Sequence, residues 1–243
     1  MRTAALALVG ALALGGCGSG GAASERLTVA AAASLKGPLT AHAAAHGAGE
    51  VRFSFGGSDL LAAQIRQGVR PDVFAAADAR LAQALHREGL VEAPVVFATN
   101  RLAVAVRPSE FGELSDLTTP GVRIAVGARG VPVGEYTRRL LARLPAVERR
   151  ALEANVRTRE PDVAGAMGKL LQGAVDAAFV YETDVAAQRG RVQAIALPDQ
   201  LQPDIRYAAA VVRGTPRREA ARAFVAGLRD ARALRAAGFG AAP

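Results

Sequence analysis

Residues 51–65 read VRFSFGGSDLLAAQI. The first five alternate in the manner of a strand, Gly56 and Gly57 turn the chain, and Leu60, Leu61 and Ile65 recur at helical spacing behind Ser58 and Asp59. Strand, Gly-Gly, Ser, helix is a way to build an anion seat. The first N–H groups of a helix lack internal acceptors, and the aligned peptide dipoles place partial positive charge there. The Ser58 hydroxyl adds a donor. Serine is also a preferred N-cap, and Asp59 in a first turn needs nothing beyond the dipole. The choice between seat and plain cap depends on whether other stretches aim at the same spot.

Several do. Leu27 to Ala33 (LTVAAAA) reads as a buried strand; Ser34 follows, and a helix opens at Leu35-Lys36-Gly37-Pro38 and runs to about His46. Pro38 is tolerated in the first turn. After the turn Gly68-Val69-Arg70-Pro71, Asp72 to Ala77 is a third strand, and Asp78 caps a helix to about Glu88. Three successive strand–helix units predict a parallel sheet with helices on its faces, and right-handed crossovers put Ser34 and Ser58 on one edge, where open α/β sheets bind ligands.

The rhythm changes near Thr99-Asn100. Strands are predicted at 101–107, 123–126, 156–158, 177–181 and 192–196, with a Gly-rich turn at 127–134 leading into a helix from about Glu135 to Leu144. Pro161 precedes a helix over Ala164–Gln172, and Thr183 or Asp184 caps another. Extended crossings at about 99–101 and 205–208 predict one domain inserted in another. Residues 26–99 plus 208–243 form lobe I and 100–207 form lobe II, with helices over 216–228 and 231–237 packing back on lobe I. Pattern alone leaves one continuous sheet open.

The N-terminus reads as an address. Arg2 and the apolar run Ala4 to Leu14 form a signal peptide over residues 1–16, too short to span a bilayer as a mature helix. Leu14-Gly15-Gly16-Cys17 resembles the lipobox of bacterial lipoproteins, which implies lipidation of Cys17 and a membrane anchor. Cys17 is the only cysteine, so no disulfide forms within the chain. Residues 17–25 are then the anchor and a flexible Gly/Ser tether. The net charge of +8 becomes +7 without Arg2. The basic residues are nearly all arginines scattered on helical faces, with no basic run interleaved with aromatics, so nucleic acid is not an expected partner.

Other chemistries fit poorly. His42 and His46 share a helix face without a third ligand, and Glu160 and Asp162 sit at a helix start, where acids are common. A hydrolase elbow needs Gly-x-Ser-x-Gly, and Leu60 stands where the last glycine belongs. A ferric site would need several Tyr, His or carboxylate ligands, and the chain has only Tyr136, Tyr181 and Tyr207 as tyrosines.

Taken together, AAASL (31–35), FGGSDLLAAQI (55–65), VPVGEY (131–136), EPDVAGAM (160–167) and FVYETD (179–184) resemble the periplasmic molybdate-binding proteins of ABC transporters. PDVFAAAD (71–78) and AAGFG (236–240) follow the same habit, and the resemblance covers about residues 26–240. It implies an α/β, two-lobed periplasmic-binding-protein fold, two doubly wound sheets joined by a two-strand hinge. It implies molybdate or tungstate as ligand, a permease as partner, no catalysis, no cofactor, a monomer, and a place outside the cytoplasmic membrane. Another oxyanion such as sulfate is the alternative ligand. Carried over residue by residue, Ser34 and Ser58 supply hydroxyls, Val133 and Val163 supply backbone N–H groups, and Tyr181 supplies a hydroxyl. Two departures stand out. Gly56-Gly57 lacks a serine that many members carry, and Val133 replaces a frequent alanine, which narrows the cavity if its side chain points inward.

Overall fold

A computed structural model describes residues 26–45 and 51–243. The leader over 1–16, Cys17 and its tether, and His46 lie outside the described residues. In chain order the elements are β1 (Thr28–Ala32), α1 (Lys36–Ala45), β2 (Arg52–Gly56), α2 (Ser58–Arg66), β3 (Val73–Ala76), α3 (Ala79–Arg87), β4 (Val95–Asn100) and β5 (Leu102–Val106). They continue with β6 (Ile124–Gly127), α4 (Pro132–Leu141), α5 (Ala146–Ala154), β7 (Val156–Glu160), α6 (Val163–Leu171), β8 (Ala177–Tyr181) and α7 (Glu182–Ala186). The last are β9 (Gln193–Ala196), β10 (Ile205–Val211), α8 (Arg218–Gly227), α9 (Arg232–Ala236) and β11 (Gly240–Ala241). No helix among the described residues is long and apolar enough to cross a membrane.

The strands form two mixed sheets, one ordered β11-β4-β10-β3-β1-β2 and the other β7-β6-β8-β5-β9. In the first, β1 pairs in parallel with β2 and β3, as three consecutive strand–helix units require. The second repeats this with β6 parallel to β7 and β8. Each sheet therefore carries a set of strand C-terminal ends from which helices depart, and the two sets face each other. The alanine-rich β1 and β3, and β5 and β8, are buried along nearly their whole length, the condition that lets such apolar strands sit between helical layers.

The chain leaves the first sheet along β4 and returns along β10. These strands pair antiparallel, with Ile205 opposite Asn100, so both crossings lie side by side. Asn100 and Ile205–Tyr207 pair within the first sheet, whereas the sequence pattern puts 100–207 in the second lobe. The strand β4 was not anticipated, because Val95–Phe97 is a short apolar run without alternation, close behind Pro94. The helix α5 and the two-residue β11 were not delimited either.

Aspartates anchor the frame away from the cleft. Asp72 accepts from the Thr28 N–H at 2.6 Å and the Thr28 hydroxyl at 2.7 Å, and also meets Thr215 and Arg217. Burial alone would raise its carboxyl; these donors outweigh burial and hold it below the usual carboxylate range. The first strand, the entry to β3 and the loop after β10 are thereby tied together. In the second lobe, Asp176 does the same work with Arg123 and Arg107.

Candidate functional site

One small cavity lies where the two lobes meet. Its wall is built by the turn after β1 (Ala32 to Ser34), the turn from β2 into α2 (Gly56 to Ser58), Ala77 after β3, the start of α4 (Val131 to Val133), the start of α6 (Asp162, Val163) and Tyr181 at the end of β8. The centre of a water-sized sphere has about 20 Å³ to move in, room for one small ion rather than for a sugar or peptide. Thus Ser34, Ser58, Val133, Val163 and Tyr181, spread over nearly 150 positions of sequence, border a single space.

Four α-helices begin at this wall: α2, α4, α6 and the short α7. For α2 the N-cap is Gly57, and Ser58 is the first helical residue. This differs from a serine cap. The Ser58 oxygen instead accepts the Ala77 N–H at 3.1 Å, and the residue is 1% exposed. With one of its two lone pairs taken by Ala77, Ser58 has its hydroxyl proton to offer to the cavity. Leu61 is the first residue of α2 whose N–H reaches back to the cap carbonyl, so the N–H groups before it have no acceptor one turn back.

Helix α4 starts with Pro132 at its first position behind the cap Val131, where a missing N–H costs nothing. Val133 is second, and Glu135 is the first to bond back to Val131. The Val133 N–H is therefore a donor left over by helix geometry. Its side chain does not need cavity space: Cγ1 packs over Gly127, 2.7 Å from where a Cβ at that glycine would stand. Gly127 and Gly134 are needed for the same tight corner, since a Cβ on Gly134 would stand 2.4 Å from the Gly127 oxygen.

Helix α6 is capped by Asp162, whose carboxylate accepts the Gly165 N–H at 2.8 Å. Val163 is the first helical residue, again with no acceptor one turn back. Asp162 is the one carboxylate on the cavity wall, and it is engaged by its own helix. Glu160 accepts the Thr158 hydroxyl. No cluster of three or more His, Cys, Asp or Glu suited to a metal exists among the described residues. His42 packs edge-on against Phe224 with ring centroids 5.8 Å apart.

Tyr181 is 1% exposed, and its hydroxyl has no hydrogen-bond partner among the described residues. Burial pushes this phenol well above its usual range, with Tyr207, Tyr136 and nearby carboxylates adding to the effect, so it stays protonated. An unpaired buried hydroxyl costs free energy, and one bordering a cavity is poised to donate into it. Tyr181 is also the N-cap of α7, and Asp184 takes its N–H at 3.0 Å from the third helical position. The sequence had suggested Thr183 or Asp184 as the cap; the helix begins earlier because β8 runs directly into it.

Ser34 lies in a single 3₁₀ turn between β1 and α1. Its hydroxyl is 3.0 Å from the Tyr207 hydroxyl on β10. Nothing in IRYAAAVV (205–212) marks Tyr207 as a neighbour of residue 34. Tyr136 was passed over similarly; from α4 it donates to the Ala77 carbonyl across the cleft at 3.4 Å. Gly57 was read as a turn residue, yet a Cβ there would stand 2.4 Å from the Pro161 carbonyl of the other lobe.

No Lys or Arg lines the cavity among the described residues; apart from the Asp162 carboxylate, which its own helix engages, its polar groups are hydroxyls and the N-terminal ends of helices. Such a wall donates and hardly accepts, which suits an anion that carries no proton.

Residues 27–240 match the family described as bacterial extracellular solute-binding protein. Molybdate-binding protein ModA of Mycobacterium tuberculosis (strain ATCC 25618 / H37Rv) is 33% identical over 227 residues, covering 86% of this chain and 85% of that protein. Molybdate-binding protein ModA of Haemophilus influenzae is 29% identical over 220 residues, 84% of this chain and 85% of that one. Among solved structures, the Azotobacter vinelandii periplasmic molybdate-binding protein shares the fold at a TM-score of 0.80 and 21% identity, over 90% of this chain and 100% of that one. The sulfate-binding protein SubI of M. tuberculosis H37Rv follows at 0.73 and 19%, over 88% and 86%. With two α/β lobes around one cavity and a family match running from the first strand to the last, this chain belongs to the bacterial extracellular solute-binding proteins.

Proposed function

We propose that this chain captures molybdate, and tungstate with it, outside the cytoplasm and delivers it to the permease of an ABC transporter. The buried Tyr181 hydroxyl, without a partner among the described residues and set in a wall made mostly of donors, is the observation that carries this reading. The relatives named as molybdate-binding proteins support the choice of ion. Ser34, Ser58 and Tyr181 donate through hydroxyls, and Val133 and Val163 through backbone N–H groups.

A dianion without its water needs replacement donors, and a hydrogen bond with a charged partner contributes about 1.5–3 kcal/mol. Several fixed donors together stand in for hydration without a lysine or arginine. They also select charge state: an oxyanion that keeps a proton brings an O–H with no acceptor to meet it, a loss of about 1–3 kcal/mol. Sulfate is proton-free too, and is rejected only if the cavity is too wide for its shorter reach.

Two lobes, 26–99 with 208–243 and 100–207 apart from the crossing residues Asn100 and Ile205–Tyr207 that pair in the first sheet, close on the ion about those crossings. The chain acts as a carrier rather than a catalyst, in line with the solute-binding family it belongs to. It works as a monomer held to the membrane through lipidated Cys17 after removal of residues 1–16.

Thermal unfolding of the dialysed protein with molybdate, tungstate, sulfate and phosphate tests the function. At a hundred times Kd, stability rises by about 2.7 kcal/mol, several degrees for a chain of this size. A shift with sulfate alone reassigns the ligand, and no shift with any oxyanion refutes the proposal.

A further inference from the structure

We infer that Tyr207 and Asn100 are positioning residues that fix which way the Ser34 hydroxyl points, and so help set the ion's permitted protonation state. The inference rests on the oxyanion reading of the cavity, although it needs only a proton-free anion and not molybdate in particular.

The direction of each bond follows from its neighbour. Asn100 Oδ1 accepts the Arg101 backbone N–H at 2.9 Å, and a backbone N–H can only donate. That sets the amide orientation and leaves Nδ2 as the donor side. Nδ2 donates to the Thr183 hydroxyl at 2.9 Å and to the Tyr207 hydroxyl oxygen at 3.4 Å. The Tyr207 oxygen thus accepts from Asn100 and must place its own proton elsewhere. Tyr207 is 0% exposed, and the acceptor within reach among the described residues is Ser34 Oγ at 3.0 Å. With that lone pair occupied, the Ser34 proton is the group presented to the cavity.

The ring that delivers this bond has little freedom. Phe97, Tyr181 and Phe239 meet it edge-on, with centroids 6.2, 5.9 and 5.2 Å away. Ser58 reaches the same polarity by a shorter route, through the Ala77 N–H. Both serines therefore enter the site as donors before any ion arrives. One lone pair of each serine is taken by a protein donor, which turns its proton toward the cavity and disfavours accepting from a protonated oxyanion. The relay also starts at the crossing between the sheets, since Asn100 ends β4, Tyr207 lies on the neighbouring β10 two residues beyond Asn100's partner Ile205, and Thr183 belongs to the second lobe.

A double-mutant cycle by calorimetry tests this, with molybdate as probe and phosphate as competitor, on the parent chain, Tyr207→Phe, Ser34→Ala and the pair. Tyr207→Phe weakens molybdate about three- to tenfold, the worth of one hydrogen bond, and makes phosphate a better competitor relative to molybdate. In the Ser34→Ala background the same change alters affinity less than about twofold, because its effect passes through Ser34. An equal loss in both backgrounds, or an unchanged phosphate-to-molybdate ratio, overturns the inference. If the parent ignores molybdate and binds sulfate, the functional proposal fails while the same cycle with sulfate judges the relay. Binding of neither ion overturns both.

Discussion

Gly57 and Pro161 face each other across the cleft so closely that a Cβ on Gly57 would stand 2.4 Å from the Pro161 carbonyl oxygen. Gly57 caps α2 in one lobe, and Pro161 precedes α6 in the other. Its φ of −61° is open to any residue, so the need for glycine here is one of approach and not of backbone conformation. Gly57→Ala will hold the lobes apart. Oxyanion affinity should fall by at least tenfold, whereas the ligand-free melting temperature should move little. Calorimetry together with small-angle scattering of the ligand-bound variant checks this; normal affinity would show that the contact is not needed for binding.

Tyr181→Phe should separate stability from binding. The hydroxyl has no partner to lose among the described residues, so the ligand-free variant should be as stable as the parent or slightly more so. Affinity for the ion should fall by about 1.5–3 kcal/mol, the worth of a hydrogen bond to a charged acceptor. Denaturant melts and titrations of one preparation read both; a loss of stability without loss of affinity would place the hydroxyl outside the site.

Ser58→Ala carries two costs. It removes one donor to the ion, about 1.5–3 kcal/mol of affinity, and strands the Ala77 N–H, about 1 kcal/mol of stability. Threonine at 58 keeps the oxygen and should recover the stability term. Unchanged affinity in the alanine variant would remove Ser58 from the ligand shell.

Asp184 predicts a pH dependence. Burial pushes its carboxyl up to about 7, with the Tyr181 N–H opposing and Asp162 adding a little. The unfolded chain releases this proton near pH 4, whereas the folded chain keeps it to about pH 7. Stability is therefore greatest below the unfolded value and is lost as pH rises through the folded one. The residue borders a groove between the lobes and is half-buried, so the effect is about 1–2 kcal/mol. Asp184→Asn keeps an acceptor for the Tyr181 N–H and cannot ionise. It should match the parent near pH 4 and exceed its stability at pH 8; parallel curves would refute the assignment.

Much of the site was legible where its signal is local. A strand, a tight turn and a helix start occupy ten consecutive residues, so 51–65 and 131–136 announce their geometry without help. Gly57 was visible as a turn but not as the cap, because the competing claim on Ser58 comes from Ala77 and the exclusion of a side chain comes from Pro161. The strand β4 escaped for a related reason: Val95–Phe97 carries no alternation, and its place is settled by β10, which pairs with it from more than a hundred residues away.

The sequence by itself determined the periodic elements, the helix starts left with spare donors, and the family, since each is written in spacing along a short segment. Only the tertiary structure decided which hydroxyls are already satisfied. The Ser34 hydroxyl meets Tyr207 across 173 residues, and the Tyr181 hydroxyl meets no partner among the described residues. Hydrogen-bond direction depends on every neighbour at once, and those neighbours exist only after the chain has crossed to the second lobe and returned.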